Sequence, residues 1–186
     1  MTVSQFGPWQ GLRLAMVVGT DGLSRGSDGT SHSVSNPEDR AQLMALRALA
    51  DLIVTDANTA EREGYRQSKL APIQVWSRNP GARTWRPIEA AGGQPVNLID
   101  SSDLPRAVQQ LGPGAVLLET GPNLSRLLMP WMGSLAITVP TRDVEVARRA
   151  TLDLLANLAA DLNEWEATWS LGESNSYALF ARRGRR

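Results

Sequence analysis

Apolar residues along this chain fall in short clusters divided by glycine-rich and polar turns, and their spacing alternates between two periods. Short runs rich in leucine and β-branched residues at 12–18, 52–54, 73–76, 96–99, 115–118 and 135–139 predict strands. Most lack strict alternation, which suits strands covered on both faces. Between them the period shifts towards that of a helix. Asn36 can cap a helix that carries Pro37, Glu38 and Asp39 in its first turn, with Leu43, Leu46 and Ala50 as its apolar stripe. Shorter helices are predicted at 58–63, at 104–111 behind Ser102 and Asp103, and at 123–129. A long amphipathic helix is predicted over 143–163, with Ala147, Ala150, Leu154, Leu158 and Leu162 on one face. Residues 166–170 and 177–181 read as a closing hairpin.

Strands alternating with helices and ending in a hairpin predict an α/β fold in one domain: a mixed, largely parallel sheet flanked by helices with a C-terminal β-hairpin. The expected division is an N-terminal arm at 1–11, a domain at 12–181 and a basic tail at 182–186. Two segments do not reduce to this pattern. Residues 23–35 form a long Gly/Ser/Asp loop, and loops of that length are usually functional or disordered. The Pro/Gly-rich stretch 79–94 reads as an excursion or an irregular strand.

Composition narrows the function. Nineteen acidic residues balance nineteen Lys plus Arg, so no global field draws the chain to nucleic acid or an anionic membrane. The absence of cysteine removes disulfides, thiolate metal sites and a Cys nucleophile. No HExxH or His/Asp cluster points to a metal. The sole histidine, His32, lies in the long loop, and no G-x-S-x-G elbow supports hydrolysis. With no signal peptide and no apolar run of membrane length, the expected location is cytoplasmic.

Candidate chemistry gathers at predicted strand ends, where open α/β sheets bind ligands. Thr20-Asp21-Gly22 and Gly29-Thr30-Ser31 follow the first strand. Glu119-Thr120-Gly121-Pro122-Asn123 follows the strand at 115–118. There Gly121 permits close backbone approach, and the next helix aims N–H groups at an anion; on local sequence alone a plain strand-to-helix turn is the simpler explanation of the segment. Arg47 can grip a phosphate with its fork or pair with Asp51 one helical turn on.

The order of these segments, with LRALADLIV (46–54), Thr59, Glu63, Tyr65 and then LLETGPNL (117–124), resembles the reductase domain of riboflavin biosynthesis, which has a dihydrofolate-reductase-like fold. The resemblance implies an NADPH-dependent oxidoreductase similar to 5-amino-6-(5-phosphoribosylamino)uracil reductase. Hydride would pass from the cofactor to the ribosylamino C1′ of a phosphorylated pyrimidine or related heterocycle, with no catalytic side chain and no metal. It implies Asp21, Ser31, Arg47, Glu63, Arg66 and Glu119 on the substrate side. Thr59, Glu63, Ser77, Gly121, Pro122 and Asn123 would hold NADPH. A homodimer is implied as well.

Besides the predicted helix at 143–163, which replaces the family's irregular connection, the chain departs from the family pattern at three places. Asp56-Ala57-Asn58-Thr59 replaces Gly-Ala-x-Thr, Thr120 stands where a small residue is usual, and Gly133-Ser134 replace an acidic pair. These motivate a second expectation, a reductase-fold binding or interaction protein without turnover.

Overall fold

The computed structural model describes residues 5–66, 68–78, 96–97 and 100–184. The expected excursion at 79–94, the end of the strand at 96–99 and the last two residues of the basic tail lie outside the described residues. Among the described residues eight strands form one sheet: β1 (Gly11–Val17), β2 (Leu52–Asp56), β3 (Ile73–Ser77), β4 (Val96–Asn97), β5 (Ala115–Leu118), β6 (Met132–Val139), β7 (Trp165–Leu171) and β8 (Ser176–Arg182). Their order is β4-β3-β2-β5-β1-β6-β8-β7. Strands β1 to β6 pair in parallel, and only the closing hairpin introduces antiparallel ladders, β6 with β8 and β8 with β7. The expected mixed, largely parallel sheet is therefore present.

Continuous apolar runs build the centre because both faces are covered. In β5 all four residues are buried. Val116 and Leu118 face a cluster with Leu12, Leu14, Leu135 and Ile137, whereas Leu117 joins Ile53, Ile73 and Val75 on the other face. Helix α1 (Pro37–Leu49) and α2 (Ala57–Arg62) precede α3 (Leu104–Gln110), α4 (Pro122–Leu128) and α5 (Val144–Asn157). Through Ala147, Ala150, Leu154 and Leu155, α5 buries its stripe in the first cluster. Buried Arg13 ties the N-terminal arm to the sheet, donating to the carbonyls of Phe6 (3.1 Å) and Gly7 (2.8 Å) and to Ser134 Oγ (2.8 Å). Burial pushes its guanidinium down to about 10, so it remains a cation at neutral pH.

Several element boundaries differ from expectation. Helix α5 stops at Asn157 because Ala159 adopts a left-handed backbone (φ 54°), and Leu162 stands exposed in a 3-10 turn. The turn leading into α3 is capped by Asp100 rather than by Ser102 or Asp103; its carboxylate accepts the Ser102 N–H at 2.6 Å. In α1, Asn36 does cap the helix, accepting the Asp39 N–H at 2.9 Å. Its buried face, however, is Asp39, Gln42 and Leu46, with Met44 outside. Arg182 belongs to β8 instead of a solvated tail, pairing with Glu164 and donating to the carbonyl of Pro130 at 2.7 Å.

Candidate functional site

The carboxyl ends of the parallel strands open into one cavity of about 1590 Å³. Pockets for drug-sized ligands typically measure ~300–1,000 Å³, so this space suits two ligands side by side or one extended one. Ser31, Arg47, Thr59, Glu63, Arg66, Ser77, Glu119, Gly121, Pro122 and Asn123 all line it. Asp21 does not: its carboxylate closes a local turn by accepting the Leu23 N–H at 3.0 Å.

Glu119, at the end of β5, is the buried centre of the site. Arg47 Nε donates to Oε1 at 2.8 Å and Nη2 to Oε2 at 2.6 Å, a bidentate fork reaching from α1 across 72 residues of sequence. Tyr65 donates its hydroxyl to the same Oε2, and its ring lies under the guanidinium at 5.2 Å. Thr55 donates to the Glu119 carbonyl at 2.7 Å, fixing the backbone that carries it. Neither alternative read from the sequence accounts for this use of Arg47. Asp51 instead accepts the Ala115 N–H at 2.8 Å and joins β5 to the end of α1. Burial alone would lower Arg47, but the Glu119 carboxylate reverses the direction and holds the guanidinium above its ordinary value. Burial, reinforced by Glu119, likewise raises the Tyr65 phenol and keeps it protonated.

Glu63 organises the long loop. It accepts the Ser31 N–H at 2.7 Å and lies 3.8 Å from the exposed His32 imidazole. Within that loop Asp28 accepts from Thr30 N (2.9 Å), Thr30 Oγ (2.9 Å) and Ser33 Oγ (2.8 Å). The segment is thus a set of side-chain-closed turns lying over the cavity rim. Arg66 is exposed at that rim.

The remaining side of the cavity is closed around Asp56. Its Oδ1 accepts the Thr59 N–H at 3.0 Å and caps α2. Its Oδ2 accepts Thr59 Oγ at 2.8 Å and the Gly121 N–H at 2.7 Å. Gly121 has an ordinary φ of −65°, so its need is space: a Cβ there would lie 3.3 Å from Thr59 Oγ and 3.5 Å from Asp56 Oδ2. Thr120 turns inward to Ser125 Oγ at 2.8 Å, and Ser134 serves Arg13.

These contacts test the fit of a nicotinamide dinucleotide. Volume and polar lining accommodate one, but the Gly121 and Thr59 donors expected to hold its pyrophosphate are already engaged by a carboxylate. Releasing them costs about 1 kcal/mol for the α2 cap and roughly 1.5–3 kcal/mol for a hydrogen bond to a charged group. Leaving Asp56 in place is no better, since like charges ~4 Å apart repel by about 4 kcal/mol at an effective dielectric near 20.

Two lining residues escape the sequence reading. Tyr65 shows only as a family-like position. Asp39 reads as a helix-dipole charge, yet it is buried in the cavity wall and accepts Ser35 Oγ at 2.6 Å. Burial raises its carboxyl above the usual range. Its signal is spacing: Asp39, Gln42 and Leu46 share the buried face of α1.

The sheet order, the terminal hairpin and the strand-end cleft define a fold of the dihydrofolate-reductase type. No family model matches the chain, and no curated protein sequence matches it. Solved structures do. A pyrimidine reductase-like protein of Corynebacterium diphtheriae aligns with a TM-score of 0.61 at 14% identity, over 92% of this chain and 91% of that one. Dihydrofolate reductase of Enterococcus faecalis, complexed with NADP(H), aligns with a TM-score of 0.63 at 12% identity, over 93% and 96%. The diaminohydroxyphosphoribosylaminopyrimidine deaminase/5-amino-6-(5-phosphoribosylamino)uracil reductase of Thermotoga maritima aligns at 0.66 and 12% identity, over 92% of this chain and 56% of that one. The resemblance read from the sequence is thus matched in fold; two of these neighbours are named as reductases and one as reductase-like.

Proposed function

We propose that this chain is an oxidoreductase of the riboflavin-pathway type, binding NADPH and a phosphorylated pyrimidine or related heterocycle in the one cleft. The observation that carries the reading is convergence. Residues from the loop after β1, from α1, α2 and β3, and from the turn after β5 line a single cavity of about 1590 Å³. Bound there, NADPH would supply the hydride. The protein's part is orientation and exclusion of water. Glu119, held by Arg47 and Tyr65, is a fixed buried carboxylate in the wall of the substrate side. Glu63 keeps Ser31 and its loop over the substrate side, and Arg66 is an exposed cation at the rim for a phosphate. Gly121, Pro122 and Asn123 flank the cofactor side, opposite Thr59 and Ser77.

Asp56 favours a second reading, a reductase-fold binding protein without turnover, because it engages the donors a cofactor anion would use. Incubating the chain with NADPH and a panel of phosphorylated aminopyrimidines separates the two. Loss of reduced-nicotinamide absorbance together with a reduced pyrimidine product supports the oxidoreductase. Heterocycle binding without nicotinamide oxidation supports the binding protein and removes the first reading.

A further inference from the structure

We infer that Asp56 is a built-in surrogate anion, the residue that sets how weakly this cleft accepts a pyrophosphate. The inference rests on the proposed placement of a dinucleotide beside Gly121. One carboxylate spans two elements: it caps α2 through Thr59 N (3.0 Å) and reaches across to β5's turn, taking the Gly121 N–H at 2.7 Å and Thr59 Oγ at 2.8 Å. These are the backbone and hydroxyl donors that make a phosphate cradle at a strand-to-helix turn. The carboxylate supplies the charge and acceptor atoms of a phosphate from within the chain, so a free ligand competes with an intramolecular partner.

The same bonds explain why the arrangement persists. Asp at the cap of α2 stabilises that helix, and the bond to Gly121 links α2 to the turn that opens α4. The residue therefore trades ligand affinity for a preformed, locked junction. An incoming pyrophosphate must either displace Asp56 or sit beside it, whereas a ligand neutral at this position meets neither obstacle.

The test is calorimetric titration of the natural chain, Asp56→Asn and Asp56→Gly with NADPH and, separately, inorganic pyrophosphate, with thermal melts to establish folding. Asn caps a helix about as well as Asp, so D56N keeps α2 while loosening the hold on the Gly121 N–H. Glycine clears the cradle and keeps the test decisive if D56N is poorly folded. The expected result is binding of both probes at least about tenfold tighter in the variants, ~1.4 kcal/mol, with faster hydrogen exchange at the Gly121 amide of the free protein. Unchanged or weaker binding by folded variants overturns the inference. If the natural chain still binds NADPH in that case, the reductase reading stands by itself. A gain in the variants with no NADPH binding by the natural chain at millimolar concentration supports the inference and removes NADPH from the natural function. No binding by any of the three overturns both.

Discussion

Replacing Arg47 with Met isolates what the buried ion pair contributes. The substitution keeps a flexible apolar stem and deletes both hydrogen bonds to Glu119, whose side chain is only 3% exposed. Among the described residues, Tyr65 would remain as the one side-chain donor to that carboxylate. Removing one member of a buried pair usually costs roughly 3–5 kcal/mol, because the other charge is left without compensation. For a chain of this length each kcal/mol lowers Tm by about 2–4 °C, so R47M should melt roughly 6–20 °C below the natural protein. Adding Glu119→Gln removes the stranded charge, and the double variant should recover a substantial part of the loss. Urea unfolding of the four proteins in a double-mutant cycle measures this directly. A loss under about 1 kcal/mol in R47M, with no recovery in the double variant, would refute the reasoning. It would return Arg47 to the role of a free phosphate fork, and Arg47→Ala should then weaken phosphorylated substrate while sparing NADPH.

Asp39→Asn should be at least as stable as the natural chain at neutral pH. Burial raises the folded-state pKa of Asp39, so its stabilisation is complete below the unfolded value of about 4 and is lost as pH rises through the folded value. The gap between the two proteins should therefore close on acidification, as followed by urea midpoints across pH; a neutral-pH loss in D39N contradicts the assignment. Gly121→Val should fold yet lose dinucleotide binding, since its side chain would meet Thr59 Oγ and Asp56 Oδ2. Retained cofactor affinity in that variant would remove Gly121 from the site. Glu63→Ala should speed amide exchange at Ser31, whose N–H it accepts, while exchange in β5 stays unchanged; equal protection at Ser31 would sink that role.

The strands were the most legible part of the chain, because parallel strands buried on both faces need continuous apolar runs, and 115–118 is such a run. Helix α1 announced itself through Asn36 and Pro37. Its buried face did not, since a face that lines a cavity can carry Asp39 and Gln42 where a core-facing one would carry leucine. The end of α5 was hidden because an alanine, rather than a glycine, takes the left-handed conformation at 159. Arg47 and Glu119 were each picked out, but their pairing depends on β5 lying between β1 and β2, a topology that no local spacing encodes. Asp56 stands out in the sequence only as a departure from the family's Gly-Ala-x-Thr pattern. The four residues Asp56-Ala57-Asn58-Thr59 also carry a plain helix-cap signal, which orients the carboxylate toward Thr59. That the same oxygen reaches Gly121 is a tertiary fact.

The proposed function requires that a reduced nicotinamide dinucleotide bind in this cleft. Titrating the purified chain with NADPH, and with NADH alongside, while following nicotinamide and tryptophan fluorescence tests it most directly. Saturable binding that favours NADPH is the predicted result, and it should weaken when a phosphorylated pyrimidine too large to share the cavity is added. Folded protein that shows no saturation at millimolar NADPH would contradict the claim and leave the fold without its proposed chemistry.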